Sequence, residues 1–556
     1  MANRSPLENL YHWEKEIPEE VFFRQPVDGQ WHVYSYRKAT DEIRRMAAAL
    51  QDLSLPPGSN IAILSKNCAH WIMADFAIWM AGHVSVPLYP NLTSSSIRQI
   101  LDHCRAKAIF LGKLDDFASQ ESGLNQEIIR ICFPLYGPAA GLKWNDLIAA
   151  HEPLAGRPLR NSEELVTIMY TSGTTGMPKG VMFNFSQLSW TAETAIVALQ
   201  QQHQLPVHAK LFSYLPLCHI AERMITELAG TMLGARITFA DSLETFAANL
   251  MATQPHLFFG VPRIYAKFQE KIFEKLPPGR LALLLAIPGI GTLLKRQLKK
   301  KLGLAEANVI GIGAAPAPAA LIDWYRTLGI VLRDIYGMTE NGGVCSFNLM
   351  EIRSGTVGQP WPGVEVRLGE GGEIQTRHPG TMMGYYKEPE LTAAMFTADG
   401  FLKSGDVGEF DSDRFLRITG RIKDIFKTDK GKYVAPTPIE MNLLTNPDID
   451  QVCVVGMGIP QPIALVVLSN LGKGKSRSEV TSSLSATIKL VNEGLESYEK
   501  LETAVIMKED WSIINGLLTP TLKVKRNEVE KIHLPKYPSC TTKKAWLFGN
   551  KKGWSS

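Results

Sequence analysis

Short apolar runs alternate with helix-like segments along most of the chain. The runs are rich in β-branched and aromatic residues, and from residue 60 they occupy 60–65, 84–89, 106–112, 166–170, 211–215, 236–240, 256–261, 309–312 and 330–335. Runs of this length that alternate with helices are typical of βα units, whose strands form parallel sheets. The pattern therefore predicts an α/β fold with parallel βα sheets.

The pattern changes after about residue 355. Short strands and Gly-rich turns at 364–368, 373–376, 401–403 and 415–419 are typical of a small antiparallel sheet or barrel. Beyond Gly420, strands at 451–455 and 463–469 and a helix at 479–492 indicate a separate α+β unit. A chain of 556 residues also exceeds what one hydrophobic core normally serves. We predict a large domain at 1–419, with a β-rich subdomain at about 355–419, and a smaller domain at 420–556.

Composition and charge exclude several classes of protein. Hydrophobic residues at 45% and charged residues at 21% are ordinary for a globular chain and argue against disorder and fibres. A formal charge of +4 is small for this length, so we predict no nucleic-acid partner. Seven scattered cysteines without a C-x-x-C pair indicate reduced intracellular thiols. Residues 1–20 lack the apolar stretch of a secretory signal, so we expect a cytoplasmic location.

One apolar run bears on membrane contact. Residues 281–294 are interrupted by Pro288, Gly289 and Gly291 and are too few to span a bilayer. The cations that follow are Lys295, Arg296, Lys299, Lys300 and Lys301. Together, 281–301 fit peripheral contact with the cytoplasmic membrane face, with the cations on anionic lipid. A solvated basic helix packed on the protein is an equal alternative.

One segment has the composition of a phosphate-binding loop. It directly follows a predicted strand and contains Thr171, Ser172, Gly173, Thr174, Thr175, Gly176, Met177, Pro178, Lys179 and Gly180. Glycines let backbone N–H groups turn toward one anion, hydroxyls add hydrogen bonds, and Lys179 supplies charge. It is not a Walker A loop, because two residues separate Gly176 from Lys179. The alternative is a surface turn, but an uninterrupted run of this kind at a strand end favours phosphate binding.

This loop resembles the signature loop of the adenylate-forming superfamily, which includes acyl-CoA synthetases, luciferases and peptide-synthetase adenylation domains. The resemblance implies that 171–176 and Lys179 hold the β and γ phosphates of ATP. Further motifs follow in the order of that family. Together they cover nearly the whole chain.

Two of these motifs resemble the family's adenine wall and the motif that accompanies it in nucleotide binding. They are Gly313-Ala314-Ala315-Pro316 and Asp334-Ile335-Tyr336-Gly337-Met338-Thr339-Glu340. The resemblance implies nucleotide binding by Ala314, Ala315, Tyr336, Gly337 and Thr339, with Tyr336 stacked on adenine. Glu340 is similar to the family's magnesium carboxylate, which suits a hard cation that takes oxygen ligands. Taken alone, Glu340 would be interpreted as a solvated surface residue, and the serine that often precedes the adenine-wall glycine is missing here.

The remaining motifs lie nearer the C-terminus. Ser404-Gly405-Asp406 resembles the family's T-G-D element, whose aspartate accepts hydrogen bonds from both ribose hydroxyls. Gly420-Arg421-Ile422-Lys423-Asp424 resembles the domain junction, with Arg421 near the ribose or phosphate and Lys423 as the hinge. Gly431 is similar to the glycine that lines the thiol channel. For the segment 420–424, the alternative is a charge-rich turn.

The segment Leu518-Thr519-Pro520-Thr521-Leu522-Lys523-Val524-Lys525-Arg526 resembles the long-chain variant of the catalytic-lysine motif. We assign the catalytic role to Lys523, although Lys525 and Arg526 carry similar charge nearby. Segments 215–223 and 258–263 resemble long-chain fatty acyl-CoA synthetases, and they place His219 near the substrate carboxylate and the α-phosphate. A hydrogen-bonded core histidine is the alternative for His219.

The resemblance implies an AMP-forming acid:thiol ligase of the long-chain-fatty-acid–CoA ligase type. Its substrates would be a medium- or long-chain fatty acid, ATP with Mg²⁺, and coenzyme A, and the smaller domain would be mobile about Lys423. A fatty acyl-AMP ligase that delivers to an acyl carrier protein is a second hypothesis. An inactive lipid or nucleotide sensor is a third, although intact Lys179, Glu340, Asp406 and Lys523 argue against it.

Overall fold

The computed structural model describes residues 4–138, 140–171, 178–519, 522–537, 547–550 and 553–555. The predictions for Ser172, Gly173, Thr174, Thr175 and Gly176 fall outside these residues.

Strands occur along the whole described chain. They are β1 (Val21–Val27), β2 (Gln30–Ser35), β3 (Asn60–Leu64), β4 (Val84–Leu88), β5 (Ala108–Leu111), β6 (Ile129–Cys132), β7 (Leu142–Lys143), β8 (Leu165–Thr171), β9 (Lys179–Asn184), β10 (Lys210–Ser213), β11 (Arg236–Phe239), β12 (Leu257–Gly260), β13 (Val309–Gly313), β14 (Leu332–Tyr336), β15 (Ser346–Phe347), β16 (Gln359–Pro360), β17 (Glu365–Leu368), β18 (Glu373–Arg377), β19 (Gly384–Tyr385), β20 (Leu402–Phe410), β21 (Leu416–Arg421), β22 (Phe426–Lys427), β23 (Tyr433–Val434), β24 (Ile449–Val455), β25 (Ile463–Leu468), β26 (Thr503–Met507), β27 (Leu547–Asn550) and β28 (Gly553–Ser555).

Helices connect most of these strands. The α-helices are α1 (Pro6–Glu16), α2 (Tyr36–Asp52), α3 (Ala69–Met80), α4 (Ser94–Cys104), α5 (Phe117–Gln120), α6 (Trp144–Ala150), α7 (Phe185–His203), α8 (Ile220–Glu222), α9 (Ala229–Leu233), α10 (Phe246–Thr253), α11 (Pro262–Lys275), α12 (Pro278–Ala286), α13 (Ile290–Lys301), α14 (Ala319–Thr327), α15 (Pro389–Met395), α16 (Pro436–Leu443), α17 (Asn470–Lys473), α18 (Arg477–Glu493) and α19 (Arg526–His533). A π-helix spans Arg223–Leu228, and 3₁₀ turns span Glu121–Gly123, Thr339–Asn341, Glu370–Gly372, Ile422–Asp424 and Leu534–Lys536.

Two large sheets form the N-terminal part. The first has the order β16-β15-β14-β13-β12-β10-β11-β1-β2, and its strands from β14 to β1 run parallel. The second has the order β19-β9-β8-β4-β3-β5-β6-β7, with β8 to β7 parallel and β9 antiparallel to β8. One hydrophobic core contains residues of both sheets, among them Phe239 and Phe183. The two sheets are therefore packed as one unit.

The smaller sheets follow the prediction as well. Strands β17, β18, β20 and β21 form an antiparallel sheet, and β24 to β28 form a mixed sheet in the C-terminal part. The predicted fold class is confirmed, and the helix predicted at 479–492 is α18. It begins with a capping box in which Ser476 and Glu479 satisfy each other's backbone N–H groups. The sequence analysis predicted neither the N-terminal hairpin β1–β2 nor β26.

Helix α3 lies in the centre of the large core. All twelve of its residues are buried, which agrees with a helix that is apolar on every face. Its charged or titratable residues are His70 and Asp75, and Asp75 forms an ion pair with Arg223 at the start of the π-helix. Arg223 also donates to Glu227 Oε2 at 3.1 Å and to Thr167 Oγ1 at 2.6 Å. Burial and the charge of Asp75 raise the pKa of Glu227. Arg223 is thus paired with two buried carboxyl groups.

Residues 281–294 comprise most of α12 and the first five residues of α13, and the two helices are separated at Ile287, Pro288 and Gly289. In the described part of the chain, every helix is too short or too polar to cross a bilayer.

We predict that Arg223→Met destabilises the large domain by about 3–5 kcal/mol, because both carboxyl groups lose their buried cation. Urea unfolding followed by tryptophan fluorescence measures this, since Trp71 and Trp79 lie beside the guanidinium. The matched control is Arg417→Met, whose exposed pair with Glu409 should contribute less than about 1 kcal/mol. Equal losses in both variants would contradict the assignment.

Candidate active site

Four adjacent parallel strands, β10, β12, β13 and β14, end on the same side of the first sheet. The chain after β10 carries His219, Ala314 follows β13, and Gly337 follows β14. Ligands of open α/β sheets bind at the carboxyl ends of parallel strands. The topology therefore assembles motifs that lie more than a hundred residues apart into one cleft.

A hydrogen-bonded chain links Tyr336, Asp406 and Arg421. The Tyr336 hydroxyl donates to Asp406 Oδ2 at 2.7 Å, and Arg421 Nε donates to Oδ1 at 2.8 Å. Asp406 and Arg421 are cross-strand partners on β20 and β21. The Ser404 hydroxyl accepts the Asp406 N–H at 3.1 Å, which helps to orient the aspartate. This carboxylate is thus held in one orientation, with lone pairs left on both oxygens.

The backbone at the ends of β13 and β14 is tightly constrained. A Cβ on Gly313 would lie 2.5 Å from the Ile335 carbonyl oxygen, and one on Gly337 would collide with the backbone of Gly343. Ala314 has φ +61, a left-handed conformation that is unusual for a residue with a Cβ. Strained backbone of this kind is often found where a ligand lies against the main chain.

The second sheet contributes its edge to the same cleft. The loop between β8 and β9 joins two antiparallel strands, with Thr171 paired to Lys179. Strand β19 pairs with β9 and brings the Tyr385 ring 5.2 Å from the Lys179 ammonium. The Tyr385 hydroxyl donates to Glu340 Oε1 at 2.7 Å. Tyr385 therefore connects the predicted phosphate lysine with the predicted magnesium carboxylate.

Charges tune the groups on this edge. Partial burial and the nearby Lys423 lower the pKa of Lys179, while Glu340 opposes them. Burial and the Glu340 carboxylate raise the pKa of Tyr385, which keeps its hydroxyl protonated as a donor. Within the described ranges, no group of three or more His, Cys, Asp and Glu side chains forms a metal cage. Glu340 fits a magnesium ion that takes most of its oxygen ligands from phosphates.

His219 lies at the start of α8 and is partly buried. Its Nδ1 accepts the Ala221 N–H at 3.3 Å, which leaves Nε2 to carry the proton of the neutral ring. Burial, and to a lesser extent the charge of Lys523, lower the pKa of His219 to about 4. At neutral pH this imidazole is an uncharged hydrogen-bond donor.

Lys523 reaches the cleft from the C-terminal part. Its backbone is fixed by the Thr519 N–H, which donates to the Lys523 carbonyl oxygen at 2.8 Å. By accessible surface the residue is exposed, yet the surrounding protein removes enough hydration to lower its pKa. Arg421 lowers this pKa further, whereas Asp406 and Glu340 raise it. Lys523 therefore lies within electrostatic range of three predicted site residues and of His219.

The guanidinium of the neighbouring Arg526 has other partners. Arg526 forms an ion pair with Glu440 at 2.6 Å and donates to the Val454 carbonyl oxygen. The Lys525 N–H donates to the Leu517 carbonyl oxygen at 2.8 Å. Arg526 is therefore engaged within the C-terminal part.

One ion pair holds the C-terminal part beside the large part. Arg263, in α11, donates to Asp450 Oδ2, in β24, at 2.8 Å. Lys423 lies in the 3₁₀ turn after β21, within electrostatic range of Lys179. Gly431 is exposed in the turn between β22 and β23, with φ +76, and no described hydrogen bond joins it to the cleft.

Sequence reasoning missed two polar residues of this region. No sequence motif marks Tyr385, because only the pairing of β19 with β9 brings this residue to Lys179. Glu222, three residues after His219, is a buried carboxyl group that accepts from Thr226 Oγ1 at 2.9 Å and from the Tyr214 N–H at 3.2 Å. Burial raises the pKa of Glu222 to about 7, against these hydrogen bonds.

Comparison with known families gives two matches. The model of the AMP-binding enzyme family matches residues 10–386, and the model of the AMP-binding enzyme C-terminal domain matches 423–532.

Full-length relatives agree with these matches. The long-chain-fatty-acid–CoA ligase FadD15 of Mycobacterium bovis is 28% identical over 94% of each chain. The long-chain-fatty-acid–CoA ligase ACSBG2 of Xenopus laevis is 26% identical over 91% of this chain and 79% of its own.

Solved structures share the fold. The adenylation domain of a carboxylate reductase from Mycobacterium chelonae has a TM-score of 0.80 at 21% identity, over 98% of this chain and 92% of its own. The anthranilate CoA ligase AuaEII in complex with anthranoyl-AMP has a TM-score of 0.78 at 20% identity, over 97% and 98%.

We predict that His219 is neutral at pH 7 and protonates only as the pH falls toward 4. Lys523→Ala should raise the His219 pKa, because a nearby positive charge disfavours the imidazolium. Histidine NMR titration measures both pKa values, with His219→Asn to assign the resonance. Lys525→Ala is the matched control and should leave the titration unchanged. An unshifted His219 pKa in Lys523→Ala would show that the two side chains are not neighbours.

Proposed function

The chain belongs to the AMP-binding enzyme family, and on that premise we propose that it is a fatty acyl-CoA ligase. It would activate a medium- or long-chain fatty acid as an acyl-adenylate, release pyrophosphate, and pass the acyl group to coenzyme A. The observation that carries this proposal is the position of Lys523, in a cleft that also contains Asp406, Glu340 and His219.

The nucleotide site we propose follows the strand ends. Asp406 would accept the ribose hydroxyls, since Tyr336 and Arg421 already fix its two oxygens in place. Tyr336 would present its ring to adenine. The backbone at Ala314, Ala315, Gly337 and Thr339 would form the walls, which is supported by the close approach of β13 to β14.

The phosphates would lie at the edge of the second sheet. Thr171 and the loop that follows it would cradle the β and γ phosphates, with Lys179 as the cation. Glu340 would hold magnesium, which neutralises phosphate charge when it is bound. Tyr385 would keep Glu340 and Lys179 at a fixed separation, because it contacts both.

In the first step a carboxylate oxygen of the acid bonds to the α-phosphorus of ATP, and the bond from this phosphorus to pyrophosphate breaks. The transition state spreads negative charge over phosphate oxygens, so cations placed in advance stabilise it. Lys523 and Lys179 would supply this charge from opposite sides. The neutral His219 would donate from Nε2 to the acid carboxylate or to an α-phosphate oxygen, and so orient the attack.

In the second step the thiol sulfur of coenzyme A bonds to the acyl carbon, and AMP leaves with the carboxylate oxygen. We propose that the unit 420–556 rotates about Lys423, which withdraws Lys523 and brings Gly431 to the thiol channel. This rotation would break the Arg263–Asp450 ion pair. The pair is partly exposed, so breaking it should cost about 1 kcal/mol or less.

The names of the full-length relatives support a fatty acid as substrate. So do 215–223, which follow β10, and 258–263, which include the end of the adjacent strand β12, because both segments carry apolar side chains. We also propose a cytoplasmic location with peripheral contact to the membrane through 281–301. The free thiols of the described cysteines support an intracellular site, and cell fractionation would test it.

Pyrophosphate release with MgATP, measured across acids from acetate to oleate, tests the proposed reaction. We expect release with medium or long acids and acyl-CoA formation when coenzyme A is present. Release without any acyl-CoA product would favour an acyl-AMP ligase for a carrier protein. No release with any acid would contradict the proposal and favour a sensor.

Lys523→Ala should slow adenylate formation by about 10²–10³-fold, because it removes one preorganised charge from the transition state. Transfer of a preformed acyl-adenylate to coenzyme A should change far less. The two half-reactions are measured separately, and Lys525→Ala serves as the control that keeps both. Equal losses in both half-reactions for Lys523→Ala would contradict the assigned role.

The same two half-reaction assays test Lys423 as the hinge. Lys423→Pro restricts φ at the proposed pivot and should impair transfer to coenzyme A. Normal rates in both half-reactions would exclude Lys423 as the hinge.

A further inference from the structure

The hairpin formed by α12 and α13 exposes a row of large apolar side chains. We call this row the apolar ridge: Leu283, Ile287, Ile290 and Leu293, which are 66%, 38%, 49% and 59% exposed. The residues between Ala286 and Ile290, where the two helices meet, are all exposed. Exposed apolar side chains that are contiguous in this way usually mark an interaction surface.

The side chains of the apolar ridge are not part of the hydrophobic core that the hairpin packs on. The hairpin already packs on the second hydrophobic core through Leu281 and Leu298, with Leu285 and Leu294 partly buried against it. These four inward residues lie four apart on each helix, as expected for one buried face. The ridge occupies the other face. The leucines of this segment therefore supply two apolar faces, of which folding uses one.

The ridge is presented by a tight turn. The Gly291 N–H donates to the Ile287 carbonyl oxygen at 2.8 Å, and a Cβ on Gly291 would collide with the Leu285 backbone. Gly289 adopts φ +81 at the tip, where a side chain would meet nothing. The two helices are thus locked together with their apolar tip outward.

The charge around the ridge is of one sign. Residues 275–305 contain seven Lys and Arg side chains and no Asp or Glu. Because the whole chain has a net charge of only +4, the remainder of the molecule is slightly acidic. Arg280, Arg296 and Lys300 are exposed beside the ridge. This local field attracts an extended anionic surface.

The spacing of charge and apolar residues fits a bilayer surface. Lys295 and Arg296 follow Ile290 by five and six residues, which is about 8–9 Å along a helix. Interfacial helices bury their apolar side chains by about 5–10 Å, at the boundary between headgroups and acyl chains. When Ile290 lies at that depth, the cations reach the level of the lipid phosphates.

We propose that the hairpin α12–α13 docks the protein on an anionic lipid bilayer. The apolar ridge would enter the headgroup region and the flanking cations would contact lipid phosphates. This docking does not depend on the proposed reaction, although it would bring the cleft to the phase in which long-chain acids dissolve.

Co-sedimentation with vesicles tests the proposal, without ATP or acid. We expect binding to vesicles of phosphatidylcholine with phosphatidylglycerol, and much weaker binding to phosphatidylcholine alone. The double variant Arg296→Gln with Lys300→Gln should lower the partition coefficient by roughly 25-fold, from about fivefold per cation. Leu283→Ser with Leu293→Ser should lower it by at least about 100-fold, because each side chain leaves the apolar phase.

Matched controls carry the same changes on the C-terminal part. Lys489→Gln with Lys508→Gln removes equal charge, and Leu490→Ser with Ile514→Ser removes side chains that are 67% and 97% exposed. Both controls should bind vesicles as the unmodified protein does. Equal loss in the controls, or unchanged binding in the hairpin variants, would overturn the proposal. So would concentration-dependent self-association through the ridge without vesicle binding.

Pyrophosphate release with a water-soluble medium-chain acid distinguishes membrane docking from the proposed reaction. The hairpin variants should retain it, because none of the changed residues lies in the cleft. Vesicle binding by a protein that activates no acid would leave the docking intact and contradict only the proposed reaction.

Discussion

The cleft depends on a cation that the C-terminal part places among carboxylates of the large part. Lys523 lies within electrostatic range of Asp406 and Glu340, which favour its charged form, and of Arg421, which disfavours it. Loss of hydration and the nearby Arg421 together lower the pKa of Lys523. A polyanionic ligand would complete the neutralisation. The same charge also helps to keep His219 uncharged.

The two large sheets bring the side chains around Lys523 together. The first supplies the ends of β13 and β14, where Gly313 and Gly337 let strands and turns approach closely. The second supplies Lys179 on β9 and, through β19, Tyr385. The Met382 N–H donates to the Glu340 carbonyl oxygen at 2.9 Å. This hydrogen bond connects the chain after β14, in the first sheet, to the chain before β19, in the second. The buried Arg223 cluster and helix α3 lie in the core that both sheets share, so the core fixes the distance across the cleft.

The sequence predicted most strands, because apolar runs of four to seven residues have few alternatives between Gly- and Pro-rich turns. It also predicted Lys523 as the catalytic lysine, and this role stays a prediction. It did not predict Tyr385 or the Arg263–Asp450 pair, since both arise from contacts between residues about 190–200 positions apart. Strand β2 was missed because it carries polar residues at the edge of the first sheet, and β1 was missed because Arg24, Gln25 and Pro26 interrupt its apolar run.

The most direct measurement of the central claim is the fate of a carboxylate oxygen. A fatty acid labelled with ¹⁸O in its carboxylate is converted with MgATP and coenzyme A, and the AMP produced is analysed by mass spectrometry. Attack of the carboxylate on the α-phosphorus predicts that each AMP carries one ¹⁸O atom. Unlabelled AMP, or label in orthophosphate together with ADP, would contradict an acyl-adenylate formed in this cleft.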